Sequence, residues 1–366
     1  MNIAVTGANG FISKNLIFRL KYEKNCKIFK ITRKTSKKNL NSALLAADII
    51  FHFAGANKPK KKIFLKKDNI DFTRYICDYL NKTKKPKTII YSSTIQVNNN
   101  TEYGKSKKNS EKQLLKLYKN SLFNVIILRL PNIFGKWSKP NYNSVVSTFC
   151  NNISRYKKIN ILNPKKKIKL LYIDDLINLL IKIKNSKNLR SKIISKFKYT
   201  NNISVKKLSE LIFNFEKNRD KLFIDQSSKF IKNLYSTYIS ILPKKKFTYK
   251  LKSKTDHRGS FTEILKMKNN GQISVLSSKK NKIRGNHFHH SKIEKFLVLK
   301  GNALFSMQNI LNKEKISIKL NSSNLKIVET IPGWKHSIKN ISKSELIVLI
   351  WSNEIFDVNN PDTFQL

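Results

Sequence analysis

Short apolar runs alternate with longer amphipathic stretches in the first half of the chain, and this alternation limits the possible folds strongly. The strand-like runs are "NIAV", "KIFKIT", "ADIIFHFAG", "KTIIYSS" and "FNVIILRL". Helical spacing of apolar residues follows several of them, as in "FISKNLIFRL" and "SEKQLLKLY". Strands that alternate with helices form a parallel sheet covered by helices. We therefore predict an α/β domain for this part of the chain.

From about residue 255 the pattern changes to short strand-like segments joined by turns. These segments are "QISVLSS", "EKFLVLKG", "ALFSMQNI", "KISIKL" and "ELIVLIW". Such spacing is typical of an antiparallel sandwich or barrel. A chain of 366 residues is also too long for one ordinary core. Because a proline and a lysine run separate the two patterns, we predict one domain over residues 1–243 and an all-β domain over residues 250–366.

The chain is strongly basic, with 74 Lys and Arg residues against 22 Asp and Glu and a formal net charge of +52. Such an excess is typical of proteins that bind nucleic acid or a membrane surface. The basic runs, however, are scattered between apolar segments, and no zinc-finger or RNA-binding aromatic motif accompanies them. We therefore attribute the charge to a compositional bias of the whole proteome. We predict no specific nucleic-acid partner, although the charge would concentrate an anionic substrate.

The N-terminus and the cysteines indicate the compartment. The chain enters a strand and turn at once, without a basic leader, and it has no run of eighteen apolar residues. Cys26, Cys77 and Cys150 lack metal-ligand spacing and suit core positions in a reducing compartment. We therefore expect a cytoplasmic protein with no membrane partner.

A glycine-containing turn, "VTGANGF", follows the first predicted strand and opens the first predicted helix. Gly7 and Gly10 let the backbone turn sharply and direct the N-terminal amides of the helix at a dinucleotide pyrophosphate. Ser13 occupies the third small position of the usual pattern. Arg33 follows the second predicted strand, where an NAD-preferring site usually has an acidic residue, and it suits the extra phosphate of NADP. Taken alone, the turn could also be an ordinary strand-to-helix connection.

A second group of polar residues lies in "YSSTIQVNNNTEYGKSK", where a predicted strand ends and a helix begins. Tyr103 and Lys107 are one helical turn apart and share a face. Reduction of a ketone requires a hydride and a proton, and a tyrosine can cycle that proton when a nearby ammonium favours its phenolate. Thr94 can hydrogen-bond the carbonyl oxygen. The alternative is an exposed pair of helix residues without a catalytic role.

Six short stretches follow one another in the first part of the chain: "TGANGF", "HFAGAN", "SST", "YGKSK", "RLPNIFG" and "YIDDL". In their order and approximate spacing, about residues 1–240 resemble the extended short-chain dehydrogenase/reductases. This resemblance implies a Rossmann domain that acts on a nucleotide sugar, with Thr94, Tyr103 and Lys107 as the catalytic set. It implies Asn132 on the substrate side. The residues that it places beside the cofactor, taken to be NADPH, are Gly7, Gly10, Phe11, Ile12, Arg33, Ala54, Gly55, Lys107 and Pro131.

Three of the six histidines lie in "GNHFHHSKIEKFLVLKG", residues 285–301. His287 and His289 are two residues apart, so on a strand they share a face, and Glu294 follows them. His336, in "PGWKHSIKN", can supply a fourth ligand from another strand, whereas His290 points to the opposite face. Three imidazoles and a carboxylate suit zinc, manganese, iron or nickel, and the ligand types alone do not decide among them. Surface histidines and a structural zinc are the alternatives.

The spacing of these four ligands resembles the two motifs of the cupins, which are small β-barrels that often hold a metal. "DHRGSFTE" and "RGNHFH" further resemble the cupin sugar epimerases of deoxysugar synthesis. The resemblance implies a cupin barrel that binds a divalent metal, with zinc as the preferred candidate. It also implies that Arg258 helps to hold a nucleotide diphosphate.

Further stretches along the whole chain are "GKWSKPNYNSVVSTFC", "LYSTYISILP", "DHRGSFTE", "GNHFHHSKIEKFLV" and the ending "NNPDTF". With them, the chain resembles over its full length the bifunctional UDP-sugar epimerase/reductases of capsule and O-antigen synthesis. That resemblance implies NADPH-dependent reduction of a UDP-linked 4-keto-6-deoxy amino sugar of the UDP-2-acetamido-2,6-dideoxy-L-arabino-hexos-4-ulose type to UDP-2-acetamido-2,6-dideoxy-L-talose. The cupin domain would epimerise C3, on the route to UDP-N-acetyl-L-fucosamine. We expect a homodimer, because cupins often pair. The alternative is a single-activity reductase with a structural or dimerising cupin.

Overall fold

The computed structural model of the chain describes residues 1–59, 61–83, 85–119, 122–186, 190–219 and 221–365. It divides into two compact units, the first with residues 1–212 and 233–242, the second with residues 213–232 and 243–366. The second unit thus includes a segment, residues 213–232, that precedes the predicted domain boundary. The predicted fold class is confirmed, because a parallel α/β region is followed by an all-β region.

The first unit is built on a six-stranded parallel sheet with the order β2-β1-β3-β4-β5-β8. Every residue of its central strands β3 and β4 is buried, as expected for strands covered on both faces. The strands of this sheet are β1 (Asn2–Thr6), β2 (Lys27–Ile31), β3 (Ile49–His52), β4 (Lys87–Thr94), β5 (Phe123–Leu130) and β8 (Lys192–Ile194). A separate three-stranded sheet contains β6 (Asn132–Phe134), β7 (Lys167–Tyr172) and β9 (Asn201–Ser204).

Helices cover both faces of the parallel sheet. The helices of the chain are α1 (Phe11–Leu20), α2 (Lys37–Ala46), α3 (Ile63–Leu65), α4 (Phe72–Thr83), α5 (Glu102–Tyr118), α6 (Val145–Ile153), α7 (Ile173–Asn185), α8 (Val205–Arg219) and α9 (Lys229–Ile241). A π-helix spans Lys66–Asp71, and 3-10 turns span Ile95–Asn98 and Lys244–Lys246. One apolar cluster joins α1 and α7 to the sheet, and another joins α2, α4 and α5 to it. In the described part of the chain, no helix combines the length and the apolar character that a bilayer span needs.

The second unit consists of two β-sheets that enclose a common apolar core. The larger sheet holds β10 (Phe223–Ile224), β11 (Ser253–Asp256), β12 (Gly259–Met267), β13 (Gly271–Ser278), β15 (Glu294–Lys300), β18 (Ile327–Glu329) and β20 (Leu346–Ser352). The smaller sheet holds β14 (Ile283–His287), β16 (Asn302–Asn309), β17 (Lys315–Asn321) and β19 (Trp334–Asn340). Burial alternates along β13 and β20, so one face of each strand meets the core. Phe296, Val348 and Ile350 from the larger sheet meet Phe305 and Ile338 from the smaller one.

Candidate active site and candidate metal centre

The glycine turn after β1 brings two strand ends into contact. Gly7 has a φ of +64°, in the left-handed region that favours glycine, and a Cβ there would lie 2.8 Å from Ala54 Cα. The amide of Ala54 donates to Thr6 Oγ1 at 3.1 Å. The buried Ser13 Oγ donates to the Thr6 carbonyl at 3.4 Å, which explains why a small polar residue serves at the third position of the turn motif.

The start of α1 fits an anionic ligand. Gly10 is its N-cap and donates to the Gly7 carbonyl at 2.7 Å. No side-chain cap from the described residues satisfies the first turn of this helix. Its amides, which begin at Phe11 and Ile12, therefore keep donors for a phosphate, and the helix dipole favours negative charge there. These features fit the pyrophosphate of a nicotinamide cofactor.

A cavity of about 440 Å³ lies at this end of the parallel sheet. The predicted site residues that line it are Gly10, Phe11, Ile12, Gly55, Thr94, Tyr103, Lys107, Pro131 and Asn132. Gly7 and Ala54 are not among its lining residues and instead shape the turn behind it. Arg33 is also outside the lining, because its guanidinium Nη2 is 2.6 Å from Asp68 Oδ2 and its side chain is 82% exposed.

Tyr103 and Lys107 lie on the first two turns of α5, close to the end of β4. Thr101 caps this helix by accepting from the Gly104 amide at 3.1 Å. Burial raises the pKa of Tyr103 to about 12, so the phenol keeps its proton at neutral pH. In this structure burial therefore outweighs the expected stabilisation of the phenolate by the ammonium. The phenol is the form that can donate a proton to a developing alkoxide.

Lys107 is a buried cation. Burial lowers its pKa to about 7, although the negative charge of Glu111 acts in the opposite direction. Its Nζ lies 4.2 Å from the centroid of the Tyr91 ring, a distance typical of a cation–π contact. Thr94, the last residue of β4, is buried, and its hydroxyl accepts from the Gln96 amide at 3.2 Å.

Sequence reasoning missed a buried ionic network behind this pair. Glu111 lies one turn after Lys107 on α5 and is 2% exposed. Its carboxylate accepts from Arg129 Nη2 at 2.7 Å and from the Ser93 hydroxyl, so it connects α5 to β4 and β5. The only signal in the sequence is the spacing of four residues between Lys107 and Glu111, which places both on one helix face.

The four predicted metal ligands come together in the second unit. His287 ends β14, Glu294 begins β15, His336 lies on β19, and His289 lies between the first two strands. One potential ligand atom from each of the four residues lies within 4.8 Å of the others. Glu294 Oε2 is 3.3 Å from His289 Nε2 and 3.4 Å from His336 Nε2. His290, predicted to be uninvolved, is exposed, and its ring contacts Phe288 and Phe364.

The electrostatics of this group fit a divalent cation. Within the described residues, both ring nitrogens of His336 are buried without a hydrogen bond, and an ion bound at Nε2, which lies 3.4 Å from Glu294 Oε2, would give one of them a partner. Burial, with His336 and His289 nearby, lowers the pKa of His287 to about 4, so the imidazole is neutral and able to bind metal. Burial disfavours the charge on Glu294, yet the contacts with His289 and His336 hold its pKa below the usual range.

Cationic side chains share a cavity of about 370 Å³ with the metal-ligand group. Arg258, predicted to help hold a nucleotide diphosphate, lines this cavity, and its Nη2 is 2.6 Å from Asp256 Oδ2. Sequence reasoning missed three further lysines and arginines in the lining, namely Lys254, Arg284 and Lys292. Arg284 and Lys292 lie inside the histidine-rich stretches "RGNHFH" and "GNHFHHSKIEKFLVLKG". Lys254 reaches the same cavity only through the pairing of β11 with β12. Against the three carboxylates of the lining, Glu263, Glu294 and Glu354, the four cations leave a small excess of positive charge, which suits an anionic ligand.

Two family models match the chain. The NAD dependent epimerase/dehydratase family matches residues 3–194, and the polysaccharide biosynthesis C-terminal domain matches residues 254–364. The UDP-2-acetamido-2,6-beta-L-arabino-hexul-4-ose reductase of Pseudomonas aeruginosa is 40% identical over 365 residues, which cover 100% of this chain and 98% of that protein.

Solved structures agree with these matches. The capsular polysaccharide assembling protein CapF from Staphylococcus aureus superposes with a TM-score of 0.90 at 35% identity, covering 100% of this chain and 99% of that chain. UDP-glucuronic acid 4-epimerase from Bacillus cereus, with NAD, reaches a TM-score of 0.55 at 18% identity over 66% of this chain and 98% of its own, and supports the fold alone. The chain is therefore an oxidoreductase that belongs to the NAD dependent epimerase/dehydratase family and, over its whole length, to the CapF-like proteins with a polysaccharide biosynthesis C-terminal domain.

Proposed function

We propose that the chain converts a UDP-linked 2-acetamido-2,6-dideoxy-4-keto sugar in two steps, epimerisation at C3 and reduction at C4 with NADPH. The product would be UDP-2-acetamido-2,6-dideoxy-L-talose, on the route to UDP-N-acetyl-L-fucosamine. The observation that carries this proposal is the presence in one chain of a Tyr103–Lys107 pair beside a nucleotide-binding turn and a His/Glu group in a cationic cavity. The reductase named among the relatives supports the substrate class.

In the reduction, bound NADPH supplies the hydride to C4. Tyr103 holds its proton at neutral pH and delivers it to the carbonyl oxygen, so that the ketone gains one hydride and one proton and becomes an alcohol. Lys107 provides positive charge beside that oxygen, and the Thr94 hydroxyl orients it. Asn132, which lines the same cavity, contacts the sugar.

The choice of NADPH over NADH rests on Arg33. Its guanidinium is exposed and paired with Asp68, so a 2′-phosphate can reach it by displacing or sharing that carboxylate. The amides at the start of α1 hold the pyrophosphate, and Gly55 and Pro131 border the rest of the cofactor.

In the epimerisation, a base removes the proton from C3, which is acidic because the adjacent ketone accepts the electrons of the C3–H bond as an enolate, and a proton returned to the opposite face of C3 inverts that centre. His287, His289, Glu294 and His336 would hold a divalent ion, with zinc as the preferred candidate. Such an ion supplies Lewis-acid stabilisation of an oxyanion. Arg258 and the neighbouring cations attract the diphosphate of the UDP-sugar. Later reduction at C4 removes the acidity and fixes the new stereocentre.

A second candidate is a single-activity reductase whose C-terminal domain is structural or dimerising. The Pseudomonas aeruginosa relative is named for reduction alone, which favours this candidate. The homodimer, the cytoplasmic location and the absence of a specific nucleic-acid partner remain predictions.

Product analysis tests the proposed function. We expect the chain to consume one NADPH per UDP-linked 4-keto sugar and to yield the reduced sugar with inverted C3, identified by nuclear magnetic resonance. A reduced product without inversion would favour the single-activity reductase. If NADPH is not consumed at all, the proposal is wrong.

A further inference from the structure

The C-terminal segment Asp362–Phe364 runs beside the loop that carries the candidate metal ligands. Phe364 and Phe288 form an isolated antiparallel bridge, in which each amide donates to the other carbonyl at 2.9 and 3.0 Å. Their rings are also in contact, with centroids 5.5 Å apart. The segment is therefore fixed beside the loop through backbone hydrogen bonds and apolar contact.

The carboxylate of Asp362 organises the loop between His289 and Glu294. Its Oδ1 accepts from the amide of His290 at 2.8 Å, and its Oδ2 accepts from the amides of Ser291 and Lys292 at 2.7 Å each. The Ser291 hydroxyl donates to Oδ2 as well, at 2.9 Å. Three successive amides that converge on one carboxylate fix the conformation of this loop.

The backbone of Asp362 acts directly on a candidate ligand. His289 Nδ1 donates to the Asp362 carbonyl at 2.5 Å, which assigns a proton to Nδ1 because a carbonyl oxygen can only accept, and Nε2 then faces Glu294 Oε2 at 3.3 Å. His289 is 2% exposed, so this contact sets both its tautomer and its ring orientation. Partners of this kind orient metal-binding imidazoles and raise their basicity.

The same segment also holds a cation of the cavity. Lys292 is 6% exposed, and its Nζ donates to Thr363 Oγ1 at 2.8 Å. Thr363 and Lys292 both line the cavity that contains His287 and His336. One short segment thus contacts a candidate ligand, the loop beside it and a neighbouring cation.

We infer that Asp362 is a positioning residue of the candidate metal centre, which it stabilises by fixing the loop His290–Lys292 with its carboxylate and the tautomer of His289 with its carbonyl. The inference rests on the proposed metal site but goes beyond it, because Asp362 is not one of the four candidate ligands. Sequence reasoning gave it no role, since it lies more than sixty residues from the ligands His289 and Glu294.

Zinc affinity of the full chain tests this inference. Asp362→Asn keeps the side-chain shape and the backbone carbonyl but removes the charge. It also places a side-chain NH₂ group, which donates, against the backbone N–H groups of the loop, which donate as well. Asp357→Asn is the matched control, because Asp357 is an exposed carboxylate of the same C-terminal stretch that accepts only a local bond from the Asn359 amide in the described structure. Zn²⁺ alone is the probe, titrated against a chromophoric chelator, and the absorption of the Co²⁺-substituted protein reports the ligand geometry.

We expect Asp362→Asn to weaken zinc binding by about 10–100-fold and to change the Co²⁺ absorption, while the metal-free unfolding temperature stays that of the control. Zinc affinity equal to that of Asp357→Asn would overturn the inference, as would a fall in affinity matched by general destabilisation of the metal-free form. Failure of the unaltered chain to bind zinc would instead overturn the metal centre of the proposed function and this inference with it.

Discussion

The two candidate sites are made from different parts of the polypeptide. The nucleotide site uses backbone, namely the left-handed Gly7, the N-cap Gly10 and the amides at the start of α1. The metal centre uses side chains, which reach a common point from two facing sheets. The backbone turn tolerates most side-chain changes outside its glycines, whereas the Tyr103–Lys107 pair beside it and the metal centre each depend on individual side chains. Single substitutions should therefore separate the two activities cleanly.

The two sites also differ in buried charge. The first contains a buried ammonium, Lys107, whose positive form burial penalises. The second contains a buried carboxylate, Glu294, held ionised among imidazoles. The pH dependence of reduction should therefore follow Lys107, whose pKa burial lowers to about 7.

The largest expected effect is loss of reduction with Tyr103→Phe. We expect kcat to fall by about 10²–10⁴-fold, because the proton donor to the carbonyl oxygen is removed, while zinc affinity is unchanged. The rate of NADPH oxidation measures kcat, and a zinc titration measures the metal affinity. Tyr118→Phe, at the exposed end of the same helix, is the control. Equal activity of the two variants would remove Tyr103 from the mechanism.

The converse substitution is His336→Ala. We expect zinc affinity to fall by more than about 100-fold, since loss of a ligand should exceed the effect of losing a residue that orients one. Reduction of a sugar that already has inverted C3 should continue at the unaltered rate. His257→Ala removes an exposed histidine of the same unit and is the control. A parallel loss of reductase activity in the His336 variant would contradict the separation of the sites.

The pH dependence of reduction reports on Lys107. Burial lowers its pKa to about 7, so the ammonium is present below that pH and is lost above it. We expect kcat/KM to fall on the alkaline side by about tenfold per pH unit, because that parameter follows groups of the free enzyme. The Lys107→Arg variant should reduce the substrate more slowly, but its kcat/KM should no longer fall at alkaline pH, since a guanidinium stays charged. An unchanged fall at alkaline pH in the variant would assign that fall to another group.

The smallest expected effects concern cofactor choice. Because Arg33 is largely exposed, its attraction for a phosphate is screened, and we expect Arg33→Ala to raise KM for NADPH about tenfold with little change for NADH. Asp68→Asn removes the competing carboxylate and should lower KM for NADPH severalfold. Steady-state kinetics with both cofactors measure this difference. Equal changes for NADPH and NADH would contradict a role in phosphate recognition.

Much of the fold could be predicted because its signals are local. The alternation of apolar runs indicates the parallel sheet, and the residues of the nucleotide turn lie within one short stretch. The Tyr103–Lys107 spacing likewise needs only one helix. The metal ligands could be grouped because imidazoles are few and their spacing is characteristic.

The remaining features depend on contacts between distant residues. Glu111 meets Arg129 because α5 packs on β5, and Asp362 meets His290 because the C-terminal segment returns to the loop after β14. Neither pairing has a local pattern. The direction of the Tyr103 pKa was also beyond the sequence, because burial decides it and burial is set by the surrounding fold. Residues 213–232 group with the second unit because of contacts with residues distant in sequence, which have no local pattern either.

The central claim is that each unit performs its own chemistry, and deuterium uptake from heavy water tests this claim most directly. The UDP-linked 4-keto sugar is incubated without NADPH, with zinc-loaded chain and with chain stripped of metal by a chelator. The account predicts deuterium at C3 with the loaded chain and none with the stripped chain, which still reduces a sugar of inverted C3 once NADPH is added. Equal exchange in both samples, or none with the loaded chain, would contradict it.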